Sequence, residues 1–117
     1  MHGGNGNDSL VAGNGNNILS GGNGNDTFHV GAGNNLLTGG NGNDTFVFAA
    51  NLGKDVVTDF SHGDTIEFDH VFQNFQAVQA ASHQVGADTV IALDAQHSVT
   101  LEHVTLASLH ASDFHLV

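Results

Sequence analysis

Five nine-residue units fill the sequence between Gly3 and Val47. They read GGNGNDSLV, AGNGNNILS, GGNGNDTFH, VGAGNNLLT and GGNGNDTFV, and no residue is inserted between them. Each unit has six loop-like positions followed by three strand-like positions. A fixed period this short is typical of a solenoid, in which every coil packs mainly on its neighbours.

Two sets of positions define the coil. Glycine holds the second and the fourth position of every unit, which indicates a backbone with positive φ or the close approach of a neighbouring segment. The eighth position is always large and apolar, and its residues are Leu10, Leu19, Phe28, Leu37 and Phe46. One inward side chain per short strand is what a thin, two-sided coil can bury.

These units resemble the motif GGxGxDxUx of the RTX (repeats-in-toxin, hemolysin-type) family, in which U is large and apolar. The resemblance covers Gly3–Val47: three units match in full, and two depart at the first and sixth positions. It implies a parallel β-roll in which the units alternate between two sides. It also implies several Ca²⁺ ions between successive loops on one side, held by the sixth-position Asp and by backbone carbonyls of the glycine-rich turn.

The repeat has a true period of eighteen residues, because the sixth position is Asp8, Asp26 and Asp44 in the odd units but Asn17 and Asn35 in the even units. If the units alternate sides, the three aspartates share one edge of the roll. That edge then offers two calcium sites, one between Asp8 and Asp26 and one between Asp26 and Asp44. The residues that the resemblance places around these sites are Gly3, Asn5, Asp8, Gly21, Asn23, Gly24, Asp26, Gly39, Asn41, Gly42 and Asp44.

Asn17 and Asn35, on the opposite edge, leave two possibilities open. Calcium is a hard cation that takes about 6–8 oxygen ligands, and its affinity depends on the charge of those ligands. The amide oxygens can supply a weaker metal site between Asn17 and Asn35, filled only at high calcium. Alternatively, the two side chains form an amide ladder that holds no metal.

Calcium is expected to decide whether the repeats fold. Residues 1–47 contain thirteen glycines, and ordering glycine costs more conformational entropy than ordering any other residue. Burial of five side chains contributes little stabilising free energy by comparison, and stacked carboxylates repel one another. We therefore predict that the repeats are disordered without calcium and folded with it.

Composition excludes several classes of function. One Lys or Arg stands against twelve Asp and Glu, and the formal charge of −11 argues against nucleic acid and anionic membranes as partners. The sequence has no apolar run long enough for membrane insertion and no cysteine for disulfide chemistry. It contains no nucleophile elbow, P-loop or HExxH motif. We therefore expect a monomer that is not an enzyme.

Residues 48–117 are predicted to form a capping region next to the repeats at 3–47. The predicted elements are strands at Asp55–Phe60 and Asp64–Phe68, a helix at Phe72–Gln84, and a hairpin of Asp88–Asp94 with Ser98–Val104. The predicted fold class is all-β with one or two short helices, a parallel β-roll solenoid capped by a C-terminal antiparallel β region. We also expect the C-terminal region to pack partly on the face of Ile18 and Leu36, whose aliphatic side chains point outward at the seventh position.

The segment D-x-x-x-D-F-x-x-G-D-x-I, which begins at Asp55, resembles the sequence that follows the last repeat in RTX proteins. The resemblance implies that Asp55, Asp59 and Asp64 are candidate additional calcium ligands that help close the roll. The alternative is that they are solvated carboxylates at strand ends.

The final residues resemble the uncleaved secretion signal of RTX proteins. The pattern V-x-L-x-x-V-T-L-A-S-L-x-A-S-D-F of Val99–Phe114 is similar to the tails of serralysin-like proteins, and Asp113–Val117 is acidic and then mostly apolar. This resemblance implies a type I secretion ABC transporter complex as a partner during export and an extracellular, bacterial location. The alternative is a tail that docks as a last strand or helix. Because Met1 and His2 lead straight into the repeat, we expect a piece of a longer protein without a signal peptide.

The resulting hypothesis is a calcium-binding module that folds outside the cell and carries a type I secretion signal for an upstream domain. The alternative is an accessory module of a secreted enzyme or adhesin, which binds a polysaccharide or a surface. A basic or aromatic groove would favour the alternative.

Overall fold

The structure is a computed structural model that describes residues 2–49, 52–61, 63–94 and 96–116. Its strands form two sheets. In spatial order, the first sheet contains β1 (Ser9–Val11), β3 (Thr27–His29), β5 (Thr45–Ala49), β7 (Thr65–Asp69) and β11 (Phe114–Leu116). The second contains β2 (Ile18–Ser20), β4 (Leu36–Thr38), β6 (Lys54–Val57), β10 (Ser98–Leu101), β9 (Asp88–Ala92) and β8 (Ser82–Val85).

Successive repeat units alternate between the two sheets. All pairings in the first sheet are parallel, and so are the pairings from β2 through β4 and β6 to β10. Strand β9 then pairs antiparallel with both β10 and β8. This arrangement confirms the predicted parallel β-roll with an antiparallel C-terminal region.

The register follows the eighteen-residue period and then lengthens. Phe28 lies opposite Phe46, eighteen residues later, whereas Phe46 lies opposite Ile66, twenty residues later. Leu37 lies opposite Val57 on the other sheet, which is also a separation of twenty. The coil that follows Val47 is therefore two residues longer than the coils before it.

Strands β1 to β4 each bury only their middle residue, as in β1, where Leu10 is buried between exposed Ser9 and Val11. The buried residues stack from coil to coil, and the rings of Phe28 and Phe46 lie 4.9 Å apart and nearly parallel. Burial of one such side chain contributes about 1.5–3 kcal/mol. A core built from one side chain per strand explains why the roll needs further stabilisation at its loops.

The C-terminal strands add to the edges of both sheets. Strand β11 extends the first sheet and places Phe114 opposite Ile66, 6.2 Å from the ring of Phe68. Strand β10 extends the second sheet beside β6. Short 3₁₀ turns at Leu106–Ser108 and Ala111–Asp113 connect β10 to β11. The tail is thus part of the roll as far as Leu116, whereas Val117 lies outside the described residues.

The helix predicted at Phe72–Gln84 is shorter in the structure, where α1 spans Phe75–Ala81. It begins there because the side chain of Asn74 accepts a hydrogen bond from the backbone N–H of Ala77 and caps the first turn. It ends at Ala81 because the next residues pair with β9 as strand β8. The prediction was wrong for Ser82–Gln84, since strand pairing outweighed their helical spacing.

The prediction that the C-terminal region packs partly on the face of Ile18 and Leu36 is wrong for Ile18, whereas Leu36 lies beside Val56 of β6. Ile18 is 68% exposed and Leu36 is 38% exposed. The added strands join the sheet at its edge through backbone hydrogen bonds, so they leave its outer face open. None of the helices in the described part of the chain has the length and apolar character needed to cross a bilayer.

Candidate functional site

A column of carboxylates runs along one edge of the roll, where loops lead into the strands of the first sheet. We define the Asp edge by the residues that end these loops, Asp8, Asp26, Asp44 and Asp64. The backbone N–H of each donates to Oδ1 of the next, at 2.9 Å from Asp8 to Asp26, 2.9 Å from Asp26 to Asp44 and 2.8 Å from Asp44 to Asp64. The loops are therefore stacked in register, with one carboxylate per coil.

The second oxygen of three of these carboxylates has no partner within the described residues. Oδ2 of Asp8, of Asp26 and of Asp44 is buried and accepts no hydrogen bond. Asp64 differs, because its Oδ2 accepts from the backbone N–H of Ser61 at 3.0 Å and from its hydroxyl at 3.3 Å. A buried, unpartnered carboxylate oxygen is costly unless a positive group faces it.

The first-position glycines form a cradle around these oxygens. A Cβ added to Gly3 would lie 2.6 Å from Oδ2 of Asp8 and 2.8 Å from the carbonyl oxygen of Gly21. The same pair recurs one coil later, where a Cβ on Gly21 would meet Oδ2 of Asp26 and the carbonyl oxygen of Gly39. Oxygen atoms of two successive loops thus converge on a space without a side chain. These residues fit a hard cation such as calcium, which prefers carboxylate and carbonyl oxygens.

Electrostatics also favour a cation here. The pKa of Asp44 is raised to about 7, chiefly by burial and also by the nearby carboxylates of Asp64, Asp26 and Asp59, although the hydrogen bond from the Asp26 N–H lowers it. Burial likewise raises the pKa of Asp64. Lys54 is the one Lys or Arg of the sequence. The chain therefore has little positive charge of its own to compensate for this column.

Asp59 lies beside the column and holds the neighbouring loop. Its Oδ1 accepts from the N–H of Gly39 at 2.8 Å, and its Oδ2 accepts from the N–H of Gly40 at 2.7 Å. Residues 59–61 and 63–64 thus stack on residues 39–44, with Asp59 at the first position of a further loop and Asp64 at the sixth. The structure brings both predicted residues to the Asp edge.

The third- and fourth-position residues of the predicted site line the outer part of the same loops. The Nδ2 of Asn23 donates to Oδ1 of Asn5 at 3.0 Å, and the Nδ2 of Asn41 donates to Oδ1 of Asn23 at 2.9 Å. These exposed side chains bond to one another, so backbone carbonyls are what this part of the loop can offer to a metal. Gly24 and Gly42, both with positive φ, stack directly on the carbonyls of Gly6 and Gly24.

A second column follows the opposite edge. We define the Asn edge by Asn17, Asn35 and Asp55. The backbone N–H of Asn17 donates to Oδ1 of Asn35 at 3.0 Å, and the N–H of Asn35 donates to Oδ1 of Asp55 at 2.9 Å. Asp55 is fully buried, its Oδ2 has no partner among the described atoms, and burial raises its pKa.

Sequence reasoning did not place Asp55 in this column, because the two additional residues before it break the eighteen-residue count. One signal was present: Asp55 is followed by Val-Val-Thr, which is similar to the Ile-Leu-Ser that follows Asn17 and the Leu-Leu-Thr that follows Asn35.

The described histidines do not contribute to a recognisable metal site. In the parts of the chain that the structure describes, no three side chains of His, Asp or Glu come together as metal ligands. A cation on the Asp edge would therefore depend on one or two carboxylates and on the carbonyls of the stacked loops.

Comparison with known proteins agrees with this geometry. Residues 2–37 and 20–55 match the family model of the RTX calcium-binding nonapeptide repeat (4 copies). The chain is similar over 98% of its length to the extracellular lipase LipA from Serratia marcescens, with 26% identity and a TM-score of 0.66, and it spans 20% of that chain.

The chain is also 25% identical to the AlgE6R3 subunit of the Azotobacter vinelandii mannuronan C5-epimerase, over 97% of this chain and 80% of that one, with a TM-score of 0.38. The search of curated proteins gives no match. The alternating loops, the carboxylate column and the family match agree with one another: residues 2–55 of this chain match the RTX calcium-binding nonapeptide repeats.

Proposed function

We propose that the chain is a non-catalytic module that folds when calcium binds outside the cell and that carries an export signal for an upstream domain. The observation that carries the proposal is the row of buried, unpartnered Oδ2 atoms of Asp8, Asp26 and Asp44. A calcium ion would supply the positive charge that these oxygens lack.

The metal-free chain has a physical reason to stay unfolded. Folding buries Asp26 and Asp44 to 1% exposure each, in a chain with a formal charge of −11. The loops are rich in glycine, so ordering them is entropically expensive. A ligand that binds only the folded form shifts the equilibrium by mass action.

Calcium suits these loops better than magnesium does. The oxygens that converge on the space near Gly21 come from backbone carbonyls and carboxylates of two loops. Calcium accepts many oxygen ligands in flexible geometry, whereas magnesium demands a near-ideal octahedron and retains water. Affinities of about 10⁻⁴–10⁻³ M, typical of extracellular calcium modules, would leave the chain metal-free in the cytosol.

The tail links export to folding. Val99–Phe114 resembles a type I secretion signal, and LipA, to which the chain is similar, is an extracellular protein by its name. In the folded roll, β10 and β11 are hydrogen-bonded to β6 and β7. The tail would be available to a transporter while the chain is unfolded, and it would become part of the sheets after export.

The test is far-UV circular dichroism of the whole chain in excess chelator, during titration with calcium, and during a matched titration with magnesium. We expect little β signal in chelator, a cooperative gain with calcium, and little gain with magnesium. Full β signal in chelator would sink the proposal of calcium-dependent folding. Export is tested separately, by measuring secretion of a fused reporter through a type I system with and without residues 99–117. Equal secretion of both would refute the role of the tail.

A further inference from the structure

The two edges of the roll differ in what faces the loop carbonyls. We infer that the loops at residues 12–17 and 30–35 are closed by the side-chain amides of Asn17 and Asn35 in place of a cation, so that these loops take no calcium. The inference rests on the proposed function, because it assigns calcium binding to one edge of a calcium-dependent fold.

The first observation is the position of the amide nitrogens. Nδ2 of Asn17 donates to the carbonyl oxygens of Gly13 at 3.3 Å and Gly15 at 3.2 Å, the second- and fourth-position residues of its own loop. Nδ2 of Asn35 donates to the carbonyl of Gly33 at 3.4 Å and to Oδ1 of Asp55 at 2.9 Å. The oxygen acceptors that a cation would need are thus already bonded to hydrogen.

The orientation of the buried amide follows from its other contact. Oδ1 of Asn35 accepts the backbone N–H of Asn17, so the second terminal atom of this side chain is the NH₂ donor. On the Asp edge the corresponding atom is a carboxylate oxygen without a partner. An amide is nearly isosteric with a carboxylate, but it brings its own hydrogens and no charge.

The second observation concerns the type of residue that stands at the first position of each loop. On the Asp edge it is Gly3, Gly21 or Gly39, whose missing Cβ leaves the cradle open. On the Asn edge it is Ala12 or Val30, which are buried at 7% and 8% exposure as members of the hydrophobic core. The two changes occur together in both even units: a side chain fills the first position, and an amide replaces the carboxylate at the sixth.

This pattern gives the edges different requirements. The amides of Asn17 and Asn35 stack without electrostatic repulsion and satisfy loop carbonyls by hydrogen bonds. The carboxylates of the Asp edge need a counter-charge from outside the chain. The Asp edge is therefore built for calcium, whereas the loops at residues 12–17 and 30–35 are built for independence from it.

The test counts bound ions by equilibrium dialysis at saturating calcium and compares Asn17→Ala with Asp8→Ala. These residues occupy equivalent positions in the first coil of their columns, so the variants are matched. Because calcium binding is coupled to folding, any destabilised variant needs more calcium. The number of ions at saturation is therefore the decisive quantity, and not the midpoint of the titration.

We expect Asn17→Ala to bind as many ions as the parent and to melt at a lower temperature in saturating calcium, because loop carbonyls lose their donor. We expect Asp8→Ala to lose one ion. Loss of an ion by Asn17→Ala as well would overturn the inference and leave the proposed function intact. A parent chain that binds no calcium would overturn the proposed function itself.

A variant with a restored site keeps the inference testable if Asn17→Ala does not fold. Ala12→Gly and Val30→Gly would be combined with Asn17→Asp and Asn35→Asp, which copies the Asp-edge pattern onto the opposite edge. We expect this variant to bind at least one more ion than the parent at saturation. An unchanged count would contradict the inference.

Discussion

The backbone N–H of Asp26 donates a 2.9 Å hydrogen bond to Oδ1 of Asp44, one coil further along the roll, while Oδ2 of Asp44 stays buried without a partner. Each inner carboxylate thus links two loops through one oxygen and offers the other to the space between them. Asp26 takes part in two such links, with Asp8 and with Asp44.

Replacing Asp26 is therefore expected to weaken calcium binding more than replacing Asp8. Asp26→Ala removes a carboxylate that borders two inter-loop spaces, whereas Asp8→Ala affects one. We expect the apparent affinity of Asp26→Ala to fall by at least about tenfold, since ligand charge tunes calcium affinity. Calorimetric titration of both variants measures this, and equal losses would contradict the stacking order.

Folding without calcium should depend on pH. Because the pKa of Asp44 is raised from 3.8 to about 7, the metal-free fold is favoured when this group is protonated, and that contribution is lost as the pH rises from about 4 through 7. Under the proposed function the metal-free chain is unfolded at pH 7, and acidification should partly replace the missing calcium. We expect the β signal in calcium-free solution, measured by circular dichroism, to rise as the pH falls from 7 to 4.

The control for the pH dependence is Asp44→Asn, measured in calcium-free solution at the same two pH values. Its amide does not titrate, so its β signal should change less between pH 7 and pH 4. A parent β signal that is equal at both values would argue against a raised pKa of Asp44 in the fold.

Gly21→Ala should damage the Asp edge, because the added Cβ would collide with Oδ2 of Asp26 and would lie 2.7 Å from the carbonyl oxygen of Gly39. Gly13→Ala is the matched control on the Asn edge, since a Cβ there meets no atom within 4 Å. We expect a loss of about 1–3 kcal/mol for Gly21→Ala, typical of overpacking, and little change for Gly13→Ala. Urea unfolding in saturating calcium distinguishes them, and similar stabilities would argue against a tight cradle.

The tail should stabilise the roll through Phe114. This side chain is buried at 9% exposure and packs on Phe68 and on Phe75, with ring centroids 6.2 Å and 5.6 Å away. Phe114→Ala is expected to cost about 3–5 kcal/mol and to shift calcium-dependent folding to higher calcium. Val85→Ala, at a position with 57% exposure, serves as the control. A Phe114→Ala variant as stable as this control would show that β11 contributes little.

The repeat part of the fold was predictable because each structural requirement appears at a fixed position. Gly24 and Gly42 have positive φ in the structure, and Phe28 and Phe46 stack in the core. Both features were indicated by the recurrence of these residue types at the fourth and eighth positions of the repeat. The alternation of Asp26 with Asn17 and Asn35 predicted two unlike edges. The sixth-position column is visible in the sequence because the period is constant through Val47.

The later coils were harder to predict, because their contacts depend on distant segments. The place of Asp55 on the Asn edge follows from its pairing with Asn35 across twenty residues. Ser82–Val85 form a strand because β9 offers an edge, which no local pattern revealed. The donor role of the Asn35 amide likewise depends on the backbone of Asn17 in another coil.

The pairing of β11 with β7 has a consequence for the order of folding. Phe114 lies opposite Ile66, a sequence separation of forty-eight residues, as between His115 and Glu67. Neighbouring coils are separated by only eighteen or twenty residues, so closing the loop between β7 and β11 costs more conformational entropy than the other pairings of the first sheet. We therefore expect the edge of β7 to stay open longest while the roll folds.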